Sequence, residues 1–259
     1  LYHAPGWYVR HAGEQIKQSG LKAFMTGLGG TLWHRFNTPM VGRVRFGNLR
    51  RTTPVSCFFG YDRGRPIDRY YIEKFLGRNA GDIRGHVLEV GDDLYTCRFG
   101  GEKVRKKDVL QLHGSHSGAS FVGDLTAGIK ASPASFDCVI ATQTLQFIFD
   151  LRAALAEVHR ILKPGGVLLA TVPGTISPID QGEWGRLWCW GFTKRSLKML
   201  FSEYSSLEVT VKTHGNVLAA VAFLEGLSVK ELKTEELDHH DPAYPVLISL
   251  RAVKRETAP

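Results

Sequence analysis

From residue 66 onward, short apolar runs alternate with stretches of helical periodicity. Pro66 can open a helix, and apolar residues then recur at helical spacing through Leu76. Short apolar strands are predicted at 87–90, 109–113, 121–123, 138–142 and 167–171. Between the last two, an apolar stripe within 151–162 predicts a helix ended by Pro164 and Gly165. Because parallel strands need crossover connections, the pattern predicts an α/β fold with a mostly parallel sheet and helices on both faces.

Polar residues follow each of these strands at its carboxyl end. Glu89, Gly91 and Asp92 follow the first strand, His113 ends the second, and Asp124 follows the third. Residues 143–146 follow the fourth strand. Ligands of such sheets bind beyond the carboxyl ends of the strands, so these residues are the candidates for function.

One long segment carries a family resemblance. FDCVIATQTLQFIFDLRAALAEVHRILKPGGVLLATVPG, residues 136–174, closely resembles the fourth strand, helix and fifth strand of class I S-adenosylmethionine-dependent methyltransferases of the type 11 kind. DRGRPIDRYYIEKFL and EVGDDLYTCRFGG resemble a bacterial subgroup found beside glycan or natural-product biosynthesis genes. The resemblance implies a Rossmann-like seven-stranded sheet with an antiparallel last strand. It divides the chain into a basic N-terminal extension, 1–61, and a methyltransferase domain, 62–259.

The resemblance also implies S-adenosylmethionine as methyl donor and S-adenosylhomocysteine as product. The family's first motif is an acidic residue followed by Gly-x-Gly-x-Gly, of which this chain keeps Glu89 and Gly91 and loses the later glycines. Two carboxylates stand where phosphates would need N–H donors, but carboxylates suit a sulfonium and an ammonium. We therefore expect Glu89, Gly91 and Asp92 beside the methionine moiety, with Tyr95 and Thr96 in place of the missing glycines.

The ribose site departs from the family. His113 aligns with the Asp or Glu that ends the family's second strand, and a neutral imidazole has only one acceptor nitrogen. Gln111 or Ser115 assists it, or the alignment shifts by a residue or two. Asp124, with Leu125, aligns with the position that receives the adenine amino group, and a helix N-cap is the alternative role for Asp124.

Residues after the fourth and fifth strands are expected to line the space between cofactor and acceptor. We assign Gln143, Thr144 and Tyr71 to the cofactor, and Gln146, Trp184 and Trp188 to the acceptor. A loop-capping amide is the alternative role for Gln143. Part of the tryptophan-rich segment is expected to be core, since an aromatic cluster is more often packing than pocket. Tyr71 lies on a helix that resembles the family's N-terminal lid and would cover the cofactor.

Methyl transfer to a neutral hydroxyl needs a base, for which histidine suits neutral pH. An antiparallel last strand returns the connection between 207–216 and 244–254 to the cofactor side, and with it His214, His239 and His240. His214 and His240 are the leading base candidates. A structural turn is the alternative for the His239–His240 pair. No metal site is predicted, because no Cys or Glu stands nearby to complete one.

The net charge of +8 is concentrated at the start of the chain. Residues 1–51 carry eight Lys or Arg against Glu14 alone. They show no alternation of exposed aromatic and basic residues, so nucleic acid is not the predicted partner. The extension is expected to pack on the domain, to mediate self-association such as a homodimer, or to attract an anionic substrate.

Composition sets the remaining expectations. No apolar stretch approaches the roughly 20 residues that cross a bilayer. Four widely spaced cysteines argue against a disulfide framework, so a cytoplasmic protein is expected. The favoured function is O-methylation of a sugar or natural-product hydroxyl, with a small-molecule, glycoside or peptide acceptor. The alternatives are methylation of a peptide carboxylate or another macromolecule such as RNA, and a cofactor-binding scaffold that has lost methyl transfer.

Overall fold

Seven strands of the computed structural model form one sheet. They are β1 (Gly85–Val90), β2 (Val104–Gln111), β3 (Phe121–Val122), β4 (Phe136–Thr142), β5 (Leu162–Pro173), β6 (Leu207–His214) and β7 (Leu247–Lys254). Their order is β3-β2-β1-β4-β5-β7-β6. Strands β1 to β5 are parallel to one another, and β7 is antiparallel to both β5 and β6. The predicted Rossmann-like, mostly parallel sheet with an antiparallel last strand is confirmed.

The structure describes residues 38–114 and 118–256. The chain divides into two compact units, Leu1–Arg50 and Arg51–Pro259, and the boundary between 61 and 62 stays a prediction. In the first unit, a 3-10 turn spans Gly47–Leu49. Most of the basic extension lies outside the described residues. None of the helices in the described ranges is long and apolar enough to cross a membrane.

Helices cover both faces of the sheet. They are α1 (Ile67–Arg78), α2 (Leu151–Ile161), α3 (Glu183–Arg186), α4 (Lys194–Ser202), α5 (Val217–Leu224) and α6 (Thr234–Asp238). Leu155 of α2 and Phe201 of α4 belong to the core on one face. Ile72 of α1 and Phe223 of α5 belong to the core on the other. Burying an apolar stripe of each helix against the sheet is what holds these layers together.

Several element boundaries differ from the sequence prediction, and two of these differences follow directly from hydrogen bonding. Helix α2 begins after Asp150, whose side chain accepts a hydrogen bond from the Ala153 N–H, and it ends at Ile161. The Lys-Pro-Gly-Gly turn predicted to end it lies inside β5, because Leu162 already pairs with β4. Strand β2 begins at Val104 instead of 109, since parallel pairing with β1 starts at Gly85.

The carboxyl ends of the parallel strands meet at one edge of the sheet, called here the carboxyl edge. Helix α1 ends at Arg78 and residues 79–84 connect it to the start of β1, so α1 runs back along the sheet. Its first turn therefore lies at the carboxyl edge. Strand β6 is antiparallel to β7, as β5 is, so His214 at its end reaches this edge too.

Candidate functional site

The turn after β1 closes onto the end of β2. Gly91 has a φ of +102°, a conformation that L side chains rarely adopt. Its N–H donates to the Leu110 carbonyl (2.9 Å), and its carbonyl accepts from Gln111 Nε2 (3.1 Å). A Cβ built on Gly91 would meet no atom within 4 Å. The backbone is thus open to a close approach by a ligand.

Glu89 is bound by the protein's own donors. One carboxylate oxygen accepts from the Tyr95 N–H (3.1 Å), and the other accepts from the N–H and Oγ1 of Thr96 (both 2.7 Å). Burial raises the pKa of Glu89 to about 7, although these hydrogen bonds favour the ionised form. Glu89 therefore anchors the turn that begins at Thr96. Tyr95 and Thr96 act as its hydrogen-bond donors.

Asp92 is the exposed carboxylate of this loop. Its Oδ1 accepts a hydrogen bond from the Leu94 N–H (3.0 Å). The neighbouring Asp93 instead pairs with Lys107 at 2.6 Å, which lowers the pKa of Asp93. Asp92 is thus accessible from solvent, and its contact with a cationic ligand stays a prediction.

Gln111, not His113, ends β2. The Gln111 amide donates to Gly91, while its Oε1 is buried and has no hydrogen-bond partner among the described residues. His113 lies two positions beyond the strand and is exposed. Ser115 lies outside the described residues. Because a buried acceptor without a donor costs free energy, Gln111 Oε1 would be stabilised by a hydrogen-bond donor.

The residues after β3 divide into one exposed and one buried side chain. Asp124 is exposed, and its Oδ1 accepts from the Thr126 N–H (2.8 Å), which makes it a turn residue. Leu125 is buried in the core that includes Leu88 and Leu110. Leu125 therefore supports the edge from below, and Asp124 is the polar side chain presented beside it.

Two linked amides follow β4. Gln143 has a φ of +48°, which is uncommon for a residue with a side chain. Its N–H donates to the Thr171 carbonyl (2.8 Å), and its Oε1 accepts from Gln146 Nε2 (3.1 Å). Thr144 is turned inward, since its hydroxyl donates to the Thr142 carbonyl (3.1 Å). Gln146 is 1% exposed, and its Oε1 has no partner within the described part of the chain.

An aromatic cluster, defined here as Phe147, Trp184 and Trp188, adjoins these amides. The Phe147 ring centroid lies 5.2 Å from that of Trp184 and 5.4 Å from that of Trp188. The N–H groups of Cys189 and Trp190 donate to the Gln146 carbonyl (2.8 and 3.2 Å), which fixes the cluster to the turn after β4. Trp184 is 52% exposed, so the cluster offers an apolar face to a ligand.

His214 is packed between α1 and the sheet. Its Nε2 lies 2.7 Å from Ser249 Oγ, and its ring stacks on Tyr71 with centroids 5.9 Å apart. Burial lowers the pKa of His214 to about 4, with a further contribution from His240. Tyr71 is buried and donates from its hydroxyl to the Leu237 carbonyl (2.9 Å). Both rings are parts of the helix-to-sheet packing.

His239 and His240 are exposed on the segment after α6. His240 Nε2 lies 2.8 Å from Thr213 Oγ1. The His239 N–H donates to the Glu235 carbonyl (3.1 Å), and its carbonyl accepts from Asn216 Nδ2 (2.8 Å). In the ranges that the structure describes, no group of three His, Cys, Asp or Glu side chains is arranged to hold a metal ion.

Comparison with known proteins supports the assignment of the fold. A family model described as a methyltransferase domain matches residues 100–170. A SAM dependent methyltransferase from Archaeoglobus fulgidus is 11% identical, with a TM-score of 0.50, over 72% of this chain and 94% of that one. The chain described here therefore has the class I S-adenosylmethionine-dependent methyltransferase fold. No curated protein gave a significant match.

A second methyltransferase fold is similar over a comparable length. It is a chain from the complex between the Haloferax volcanii Trm112 methyltransferase activator and a methyltransferase. That chain is 17% identical, with a TM-score of 0.51, over 76% of this chain and 95% of its own length. At this level of identity the likeness concerns the fold, so the roles of individual residues depend on the contacts described above.

Sequence reasoning missed three side chains at the carboxyl edge of this methyltransferase fold. The Phe147 ring contacts both tryptophans. In the sequence, its position four residues after Gln143 was the signal that it could lie near the site. Asp68 and Arg69 lie in the first turn of α1, and Asp68 is 8% exposed. A charged pair that interrupts the apolar stripe before Ile72 was the signal available for them.

Proposed function

We propose that the protein transfers a methyl group from S-adenosylmethionine to a hydroxyl group of a sugar or natural product. The main support for a hydroxyl acceptor comes from Gln146. Its amide oxygen is buried, has no hydrogen-bond partner in the described residues, and lies on the turn that holds the aromatic cluster. An amide oxygen accepts a hydrogen bond and donates none. A hydroxyl on a flat, partly apolar molecule satisfies both features.

The residues at the ends of β1 and β2 fit the methyl donor. When bound, S-adenosylmethionine supplies a methyl group on a positively charged sulfur. The open backbone at Gly91 admits the donor to the edge of the sheet, and Asp92 offers a carboxylate to its positive charge. Gln111 Oε1 accepts a hydrogen bond from a ribose hydroxyl, which satisfies an acceptor otherwise left buried and unpaired. Asp124 is the acceptor for the adenine amino group.

The acceptor molecule is positioned by stacking and by one hydrogen bond. The rings of Trp184 and Trp188 cover one face of a sugar or aglycone. Gln146 Oε1 accepts a hydrogen bond from a second hydroxyl of the acceptor and thereby orients the molecule. The reacting oxygen gains the methyl group, loses its proton to a base, and leaves S-adenosylhomocysteine as the other product.

Of the three histidines, His240 is the proposed proton acceptor. Its ring is exposed at the carboxyl edge, beside Thr213. His214 is a poor base, because its pKa of about 4 leaves little affinity for a proton at neutral pH. His239 contacts its neighbours through its backbone. We expect His240→Ala to lower kcat with little change in cofactor affinity, and an unchanged kcat would remove His240 from this role.

The test is product formation with a panel of acceptors. The purified protein is incubated with S-adenosylmethionine and with glycosides, phenolic aglycones or carboxylate-bearing peptides, and S-adenosylhomocysteine and methylated product are measured by mass spectrometry. We expect methyl ethers from the first two groups. Methyl esters formed from the peptides, or the absence of S-adenosylhomocysteine with every acceptor, would contradict the proposal.

Substitution of Gln146 tests whether this residue binds the acceptor. Gln146→Leu removes the amide oxygen and is expected to lower kcat/KM about tenfold or more, while S-adenosylhomocysteine binds as before. Gln181→Leu, at an exposed position three residues before Trp184, is the matched control. If both variants lose activity equally, Gln146 does not hold the acceptor.

A further inference from the structure

We propose that Asp68 and Arg69, in the first turn of α1, bind the amino-acid end of the methyl donor. The Asp68 carboxylate receives the ammonium group, and the Arg69 guanidinium receives the carboxylate. The inference rests on the proposed cofactor and adds the residues that recognise its charged end. The sequence had assigned that end to Glu89, Gly91 and Asp92.

Asp68 is a buried acid that forms no ion pair among the described residues: burial raises its pKa, and the charge of the neighbouring Arg69 offsets part of that rise from beyond ion-pair distance. It is 8% exposed and lies on the same helical stripe as Ile72 and Phe75, which are both in the core. Its Oδ1 accepts a hydrogen bond from the Arg69 backbone N–H (2.8 Å), and no basic side chain lies within ion-pair distance of it in residues 38–114 and 118–256. A buried carboxylate without a counter-charge costs several kcal/mol. A bound ammonium group would offset that cost.

Arg69 is a cation without a direct ion pair; burial opposes its charge, but its neighbours, Asp68 first, outweigh this and raise its pKa. Its guanidinium donates to two tyrosine hydroxyls, those of Tyr61 (2.8 Å) and Tyr95 (3.4 Å). No carboxylate forms an ion pair with it in the described part of the chain, and Asp68 itself is farther than ion-pair distance. Its remaining N–H groups can bind a carboxylate in the two-pronged geometry that guanidinium favours.

The position of the pair matches the cofactor loop. Tyr95, which Arg69 contacts, is buried in the loop after β1, and its N–H donates to Glu89. The first turn of α1 therefore adjoins the loop that carries Gly91. The free N–H groups at the start of this twelve-residue helix add to the attraction for a carboxylate.

Glu89 does not compete for the ammonium group. Three donors from Tyr95 and Thr96 already occupy its two oxygens. Burial also raises the pKa of Asp68, a direction that a neighbouring ammonium group would reverse. The two opposite charges on α1 thus complement a zwitterion, and an amino acid is the zwitterion that the proposed donor contains.

The experiment compares two ligands that differ only at this end. S-Adenosylhomocysteine carries the amino acid, whereas methylthioadenosine has the same nucleoside and thioether without it. Calorimetric titration of the full chain gives a Kd for each ligand. We expect Asp68→Asn and Arg69→Met each to weaken S-adenosylhomocysteine about tenfold or more and to change methylthioadenosine less than about twofold. Arg69→Lys, which keeps the charge, should recover part of the affinity.

Two charged residues of the same helix are matched controls. Glu73 pairs with Arg65 and Arg98, and Lys74 pairs with Asp238, so both already have counter-charges. Glu73→Gln and Lys74→Met should leave both ligands unchanged. Thermal denaturation of every variant establishes that it is folded. If Asp68→Asn does not fold, the Arg69 variants alone give the comparison.

The outcomes separate this inference from the proposed function. Equal weakening of both ligands by the variants would mean that the pair only supports the fold, and this would overturn the inference. Unchanged affinity for S-adenosylhomocysteine would overturn it as well. If the wild-type protein binds neither ligand, the proposed cofactor is wrong, and the inference is lost with it.

Discussion

His214 provides a direct test of how this carboxyl edge is built. Its imidazole hydrogen-bonds to Ser249 and stacks on Tyr71, and burial lowers its pKa from 6.5 to about 4. A proton therefore binds more tightly to His214 in the unfolded chain than in the folded protein. The contribution to stability is complete above about pH 6.5 and is lost as the pH falls from there to about 4.

The size of this contribution follows from the pKa difference. Since one pKa unit corresponds to about 1.4 kcal/mol, the shift from 6.5 to about 4 is worth about 3 kcal/mol. His214→Gln removes the titration, and a glutamine amide can still hydrogen-bond to Ser249. We therefore expect the wild-type protein to lose about 3 kcal/mol more than the variant between neutral pH and about pH 4.

Urea unfolding at a series of pH values measures this difference. Carboxylates elsewhere titrate in both proteins, so they cancel when the variant is subtracted from the wild type. The difference in unfolding free energy should grow steadily below about pH 6.5 and level off near pH 4. Parallel curves would show that His214 titrates as in the unfolded chain. Methyl transfer by His214→Gln should persist, because the ring is assigned to packing.

Three further substitutions probe the site. Gly91→Ala places a side chain at a φ of +102°, which should lower the unfolding free energy in urea by about 1–2 kcal/mol and weaken the binding of S-adenosylhomocysteine. Gly81→Ala, at an ordinary φ and in open space, should have neither effect. Gln111→Met removes the unpaired acceptor and should weaken S-adenosylhomocysteine about tenfold by calorimetry; an unchanged Kd would exclude a ribose contact. Trp188→Ala should raise the KM for the acceptor without affecting cofactor binding, and an unaltered KM would place the acceptor elsewhere.

The sheet was predictable because its central strands are apolar on both sides. Val87, Ile140 and Leu169 are fully buried, and the apolar runs that contain them can be recognised in the sequence. The first half of β2 was not predictable in this way, since its charged residues 105–107 are exposed. Its hydrogen bonds come from pairing with β1, which side-chain hydrophobicity does not report.

The candidate site was predictable to the level of strand ends, and not to the level of contacts. The rule that ligands bind at carboxyl ends selected Gly91, Asp92 and Gln143, which all lie at that edge. The choice between Gln111 and His113 depends on where β2 stops pairing, and Gln111 is the last residue paired with β3. That pairing is a long-range contact, so local sequence could not determine it.

Glu89 and Asp68 show why the charges of a site cannot be assigned from a motif alone. Both are buried acids at the same edge, and the sequence favoured Glu89 because it matches the acidic residue of the family's first motif. The structure gives Glu89 three internal donors, whereas the Asp68 side chain receives one from the adjacent backbone. A carboxylate already saturated with donors gains little from a ligand ammonium group, but an unsaturated one gains more. The acid that binds a cation is thus determined by the donors that the fold has already supplied to it.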